Sequence, residues 1–550
     1  MYILPASRRP HVFIAALSIV ALVLFLHNTQ QTGLSSWSSP LFGSHPTTSS
    51  LENVGLEAED HVVRGRVSRM KTFCEKENPF EKEYGRTNIR LTRAYEGSHY
   101  RLQQFIHKAL RGEALTISAI GGSITGGHQV QRDEIWFHKF REWLNTFFGN
   151  DVDITEVNGA APATGSDYFS FCFSHHIPSE SDLVLVELAV NDEGILEHIE
   201  NMENLLRGLL DLPNKPAVIL VEALAFSNGG MGGGGGRMHL PVAQYFDVPV
   251  INQRHPLANH FGRYPQLIGP YFSRDWWGNS DMRHINARGH RDLGMLVASL
   301  IQDAACTMLS ENDFFVPHPS TEASGLSILG DVGDEKTLSS DQARIQDQHL
   351  AEIQSSWAEQ SRSWRERPSE GDQVGKLMPG MWVTPAEYGM LPRMRVLDGW
   401  NPDTSSIVPP FQPTCLSTRA KQAQFNLTPS YNEGWEYWIH PEHTDKPYLV
   451  AKEPGATVSF ELDTNVGVVK MYALKSKTFG LGDIECWADD EKHKSTKVTG
   501  WWDNGDVNIG RFATIRTDLA RGKHIITCKV LEATSNPDGG HEFRMISMMR

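Results

Sequence analysis

Two short segments far apart in the chain hold the residue types that can turn a hydroxyl into a nucleophile. Ser123 lies in Ile120-Gly121-Gly122-Ser123-Ile124-Thr125-Gly126-Gly127, where small neighbours permit a tight turn that exposes the serine and its backbone N–H. Asp281-Met282-Arg283-His284 places a carboxylate three residues before an imidazole. A serine hydroxyl attacks only when a base takes its proton, and the base works best when a carboxylate orients it. Ser123, His284 and Asp281 supply those three groups. Negative charge developing on a carbonyl oxygen also needs hydrogen-bond donors, and Asn158-Gly159-Ala160-Ala161-Pro162 and Ala189-Val190-Asn191-Asp192 offer them. His290 and Asp275 are the rivals for base and orienting acid. No Gly-Lys-Ser/Thr follows the Gly-rich turn, which excludes a Walker-type phosphate loop.

These segments need a scaffold that brings them to one edge. Residues 115–120, 152–157, 182–188, 217–222 and 248–251 are short apolar runs that predict strands. Between and after them, three sets of apolar residues fall at helical spacing: Trp136 to Phe148, Ile195, Leu196 and Ile199 to Leu209, and Leu293 to Ile301. Strands alternating with helices predict an α/β fold, a three-layer arrangement with a mostly parallel sheet covered on both faces. Ligands of such sheets bind beyond the carboxyl ends of the strands. Ser123, Gly159 and Asn191 all fall there, and Asp281 and His284 come just before the last helix.

Taken together, the four blocks within about residues 110–305 resemble the SGNH (Gly-Asp-Ser-Leu-type) hydrolase superfamily. Block one is similar to Gly121-Gly122-Ser123-Ile124, block two to Asn158-Gly159, block three to Ala189-Val190-Asn191-Asp192, and block five to Asp281-Met282-Arg283-His284-Ile285-Asn286 followed by Gly289-His290. The resemblance implies a serine esterase in which Ser123 is the nucleophile, His284 the general base and then acid, and Asp281 its orienting partner. It implies an oxyanion hole made by the backbone N–H groups of Ser123 and Gly159 and the side-chain amide of Asn191, with no cofactor or metal. Gly122 stands where Asp is common, Ala189 replaces the usual Gly, and block two can also be aligned with Ala160 as the donor.

The flanking regions differ in kind. Residues 12–26 carry no charge, follow Arg8 and Arg9, and precede no Lys or Arg until Arg64. That asymmetry orients the N-terminus to the cytoplasm, so residues 1–27 are expected to be a cytoplasmic tail and signal anchor of a single-pass type II protein, with signal cleavage and secretion as the alternative. Residues 28–86, which open on a Ser/Thr-rich stretch, are expected to be a stem, 87–310 the hydrolase-like domain, and 311–377 a polar linker with one helix. In 378–550 the period changes to two: Val458, Phe460 and Leu462 alternate with polar neighbours, as do Ile484, Cys486 and Ala488, and Ile526, Cys528 and Val530. This predicts a β-sandwich domain. Cys486 and Cys528 share its inward phase, as a disulfide or as two buried thiols.

A net charge of −15 leaves no electrostatic footprint for nucleic acid and disfavours strongly anionic glycans. None of the six cysteines forms Cys-x-x-Cys, which removes zinc-ribbon and thioredoxin-like readings. Lumenal placement and the sequon Asn426-Leu427-Thr428 lead to the expectation of a Golgi glycoprotein that removes O-acetyl groups from glycans. The alternatives are a glycan O-acyltransferase using the same triad and an inactive lumenal carbohydrate-binding protein. Trp276 and Trp277, and Trp435, Tyr437, Trp438, Trp501 and Trp502 of the β module, are candidates for sugar contact, and residues 229–236 for a glycine-rich lid.

Overall fold

A computed structural model describes residues 49–162, 164–226, 234–275, 277–310, 389, 391–399, 408 and, apart from 421, 442, 465–466 and 504–507, 413–550. The expected signal anchor, the start of the stem, the linker helix and most of the glycine-rich loop lie outside these residues. The chain divides into two compact units, Met1–Ala58 and Glu59–Arg550. The α/β layers and the β-sandwich both belong to the second.

Six strands build the α/β sheet: β1 (Arg93–Tyr95), β2 (Leu115–Gly121), β3 (Ile154–Asn158), β4 (Leu183–Glu187), β5 (Ala217–Glu222) and β6 (Val250–Asn252), in the order β1-β6-β5-β4-β2-β3. β2 to β6 run parallel, as their apolar runs predict. β1 adds to the edge antiparallel; three residues reading Arg-Ala-Tyr carry no strand signal of their own. Alternation in the central strands feeds two cores. Leu183, Leu185, Ile219 and Val221 face one, with the helices Tyr100–Arg111, Trp136–Phe148 and Ala287–Ser310. Val184, Val186, Val218 and Leu220 face the other, with Ser166–Cys172, Glu197–Leu210 and Gly236–Tyr245. A strand buried on both faces shows as a continuous apolar run, which is why these were legible. Among the described residues Ala287–Ser310 is the one helix long and apolar enough to cross a membrane, but 67% of that window is buried. Leu293, Val297, Leu300 and Ile301 place it in the first core.

Two sequence expectations are corrected here. The expected stem does not run to residue 86: Met70 and Phe80 are built into the first core, and Cys74 is bonded to Cys306 in the last helix. A few apolar anchors in a charge-rich stretch hid this. Ile195 and Leu196 do not serve the core either; they are 46% and 66% exposed, and their helix begins at Glu197.

After β6 the chain forms a two-stranded antiparallel hairpin, β7 (Phe272–Arg274) and β8 (Ser280–Ile285), outside the main sheet. The C-terminal part is an antiparallel sandwich of β9 (Cys415–Ser417), β10 (Tyr431–Glu433), β11 (Trp435–His440), β12 (His443–Ala451), β13 (Thr457–Thr464), β14 (Val469–Lys475), β15 (Asp483–Ala488), β16 (Thr496–Thr499), β17 (Ile509–Arg516), β18 (Gly522–Val530) and β19 (Phe543–Met549). One sheet has the order β10-β13-β18-β15-β16, the other β11-β12-β19-β14-β17 with β9 beside β19. Val458, Phe460, Leu462, Ile484, Ile526 and Val530 fill the space between the sheets, as their period of two requires. Cys486 and Cys528 are opposite one another on β15 and β18 and form a disulfide.

The sandwich is not a separate body. Tyr448, Val450, Tyr472, Leu474 and Ile546 join Tyr168, Phe169, Phe171 and Phe173 in the second α/β core. Cys172 and Cys415 bond across this junction, Lys470 Nζ donates to Asn201 Oδ1 at 3.1 Å, and Arg511 pairs with Glu193 at 3.8 Å. All six cysteines are thus in disulfides.

Candidate active site

β2 ends at Gly121, and the next residues turn sharply: Gly126 N–H donates to Gly122 O and His128 N–H to Ser123 O, each at 3.0 Å. Behind this turn Glu187, the last residue of β4, is buried and accepts from Thr125 Oγ1 at 3.0 Å and from the backbone N–H groups of Thr125 and Gly122. Burial pushes its pKa up to about 8, so at neutral pH it is chiefly an uncharged acid bracing the turn that carries Ser123.

Ser123 Oγ lies 2.7 Å from His284 Nε2, and His284 Nδ1 lies 2.5 Å from Asp281 Oδ2. The hairpin explains how. Asp281 and His284 both sit on β8, and Arg283 N–H donates to Asp281 Oδ1 at 3.0 Å. Phe226 N–H donates to Met282 O at 2.8 Å, tying the hairpin to the end of the sheet, while Asn286 Nδ2 bonds Pro270 O and its Oδ1 accepts from Arg288 and Gly289 at the start of the last helix. Burial lowers the pKa of His284, against the upward pull of Asp281, and His128 and Arg283 add to the lowering. Burial raises Asp281, but hydrogen bonds from His284 and Arg283 outweigh it and hold the carboxylate below its ordinary value. The base is therefore neutral and its partner ionised at neutral pH, the state general-base chemistry needs.

The oxyanion side is partly as expected. Among the described residues no partner engages the Ser123 N–H, and Asn191 lies beside it: a Cβ on Gly122 would come 2.6 Å from Asn191 Nδ2. That space is why Gly, and not Asp, stands in front of Ser123. Asn191 Nδ2 donates one hydrogen to Thr164 O at 2.7 Å, which fixes the amide and leaves its second hydrogen for a substrate. Gly159 is not placed as an oxyanion donor. Its N–H bonds Ala119 O at 2.8 Å, continuing the β2–β3 ladder. The alternative, Ala160, has its N–H turned to Asn158 Oδ1 at 3.1 Å.

Sequence reasoning missed the group that steadies Asn191. Asp192, fully buried, accepts from Ser166 N–H at 2.8 Å and His239 Nε2 at 2.7 Å, so it fastens both the 164–166 loop and the helix after the glycine-rich stretch. Burial raises its pKa, yet these partners outweigh burial and lower it. A Cβ on Gly235 would lie 2.3 Å from Asp192 Cβ, so the end of the glycine run serves close approach. His128 was also missed; its ring lies 4.2 Å from that of His284. The one signal for it was an imidazole right after the glycines of block one.

The rivals fall away. His290 is buried, its Nδ1 accepts from Trp136 N–H at 3.2 Å, and burial with the nearby His284 lowers its pKa to about 4. Asp275 Oδ1 accepts from the N–H groups of Trp277 and Asn279 and closes the β7–β8 turn. Trp277, 83% exposed, stands at that turn, seven positions before His284; Trp276 lies outside the described residues. The expected aromatic platform is not one surface. Trp435 is buried against Phe543, while Tyr437 and Trp438 are neighbours on a strand and point to opposite faces. Trp438 stacks on Tyr448, with Arg544 over both rings.

No family model and no curated protein sequence matches the chain. Solved structures do. A two-domain esterase active on acetylated mannans, co-crystallized with mannopentaose, superposes with a TM-score of 0.54 at 16% identity, over 84% of this chain and 97% of its own. A second crystal structure of a two-domain esterase so described gives 0.53 at 17% identity, over the same shares. The chain has the fold of a two-domain esterase. In this two-domain esterase fold the parallel sheet supplies the turn carrying Ser123 and the amide of Asn191, and a hairpin before the last helix supplies His284 and Asp281. The SGNH resemblance read from the sequence rests on the same blocks. A group of this geometry can form and break an acyl-serine ester: His284 takes the Ser123 proton, Ser123 Oγ attacks a carbonyl carbon, and His284 returns the proton to the leaving oxygen.

Proposed function

We propose that this protein is a serine esterase that removes acyl groups, acetyl foremost, from glycans in the secretory pathway. One observation carries the reaction: the unbroken hydrogen-bonded line from Ser123 through His284 to Asp281, with Asn191 placed for the oxyanion. The acyl-enzyme forms as the sugar hydroxyl leaves, and water activated by the same imidazole releases the acid. The glycan substrate is supported by the shared fold with esterases described as acting on acetylated mannans. Three disulfides support an oxidising, lumenal compartment, and Asn426 of the sequon is exposed. The test is acetate release from acetylated mannan and from an aryl acetate by the purified protein and by Ser123→Ala. Activity lost in the variant supports the reading, and equal rates sink it. Acetate consumption from a donor only when an unacetylated glycan is present would instead show transfer to a sugar hydroxyl.

A further inference from the structure

A buried arginine stands on the oxyanion side of the site. Arg254 follows β6 and opens the helix Arg254–Arg263, at the sheet edge that also carries Ser123 and Asn191. It is 7% exposed, its Nε is enclosed without a hydrogen bond, and among the described residues its side chain makes no hydrogen bond or ion pair. Arg237 is its neighbour. It is exposed, its side chain likewise makes no hydrogen bond or ion pair among the described residues, and its charge opposes that of Arg254. The acids around them do not neutralise the pair. Glu222, the last residue of β5, is buried, accepts from Asn252 Nδ2 and is pushed towards its uncharged form by burial. Glu193 pairs with Arg511, and Glu197 with Lys470.

Both arginines belong to the neighbourhood of the oxyanion amide. A Cβ on Gly194 would come 2.8 Å from Arg237 Nη2, and Gly194 is three residues after Asn191, a reach of at most about 11 Å. β6 is two strands from β4, the strand that leads to Asn191, about 10 Å across the sheet. Enclosing a guanidinium that no acceptor engages is costly, because it stays charged and loses its water. A guanidinium is also the group that grips a carboxylate or phosphate with paired hydrogen bonds. We propose that Arg254 and Arg237 form a subsite for one anionic group, a carboxylate or a phosphate, carried by the glycan in a sugar unit near the one whose ester is cleaved. The glycan part rests on the esterase reading above; the anion site does not. A chain charge of −15 opposes a polyanion spread over the surface, whereas a single anionic group here meets two arginines.

Calorimetric titration of the full-length protein, Arg254→Gln, Arg254→Lys and Arg237→Gln with glucuronate, mannose 6-phosphate and mannose tests the site. One of the two anionic sugars is expected to bind at least about tenfold more tightly than mannose. Each glutamine variant is expected to lose at least about tenfold of that affinity, the worth of one charge-assisted hydrogen bond. Arg254→Lys keeps the charge but not the planar fork, so its affinity is expected to fall between. Preference for glucuronate would identify a uronate, and preference for mannose 6-phosphate a phosphate. Equal affinities for the three sugars would overturn the subsite, as would an affinity unchanged in either glutamine variant. Arg237 is exposed, so its variant decides the matter even if Arg254→Gln does not fold. In acetate release, kcat/KM for an acetylated glycan bearing the preferred anion, relative to acetylated mannan, is expected to fall by at least about tenfold in both glutamine variants. An unchanged ratio would overturn the part the anion plays in substrate choice. Anion binding that depends on both arginines in a protein that releases no acetate would uphold the subsite and fail the esterase reading alone.

Discussion

Ser123 Oγ and His284 Nε2 meet at 2.7 Å although 161 positions separate them in the chain. The pH dependence of the reaction follows from this contact. His284 acts as base only when neutral, and burial lowers its pKa from the ordinary 6.5. As pH falls, activity is lost where His284 takes up a proton, so the acid limb of kcat/KM is expected below pH 6.5. A pH–rate profile on an aryl acetate checks this; a limb above 6.5 would contradict the buried imidazole as base.

Asp281→Asn keeps the shape but removes the charge facing His284 Nδ1. A fall in kcat on the order of 10⁴-fold is expected, as for a triad whose histidine is left in the wrong tautomer. The variant also loses the pull that raises His284, so its residual activity should persist to lower pH than that of the unaltered protein. Steady-state kinetics across pH would show both effects.

Asn191→Ala removes an oxyanion donor, with an expected loss of about 10²–10³ in kcat and little change in KM. Gly122→Ala is expected to lower kcat as well, because its Cβ would press on Asn191 Nδ2. The two changes act on one amide, so the double variant should lose much less than the product of the single losses. Independent, multiplying effects would show that Gly122 is not making room for Asn191.

Glu187 titrates near 8 in the folded protein against an ordinary 4.5. Between those values the unfolded chain releases a proton that the folded protein keeps, so folding stability falls as pH rises from about 4.5 to about 8. Glu187→Gln removes this contribution. The drop in Tm from pH 5 to pH 8 is expected to be smaller in the variant, measured by differential scanning fluorimetry; identical slopes would mean that Glu187 is ionised behind the nucleophile turn.

The disulfide between Cys74 and Cys306 ties residues before the α/β sheet to its last helix. Replacing both with Ser is expected to cost about 2–5 kcal/mol in urea unfolding. An unchanged unfolding curve would mean that the segment around Cys74 contributes nothing to the folded unit.

What was legible in the sequence was what burial or short-range chemistry makes periodic. β4 and β5 lie inside two cores, so their apolar runs were unmistakable, and Val458, Phe460 and Leu462 announced a sandwich by alternating. Ser123, His284, Asp281 and Asn191 were legible because their chemistry requires them next to small or paired neighbours. Gly159 was misassigned because a sequence block cannot tell which N–H of a loop the sheet has already consumed. Asp192 and His239 went unseen for a related reason: 47 positions separate them, and their bond depends on how the helix after the glycine run returns to the sheet. β1 and Met70 depended on tertiary packing and left no local pattern.

Cys172 and Cys415, 243 positions apart, make the chain between them a covalent ring. Residues 311–388 are an arc of that ring, so a protease that cuts there once opens it without releasing anything: the two halves migrate as one species until a reductant is added, and only then as two. Tethering of the α/β layers to the sandwich thus does not depend on an uncut arc.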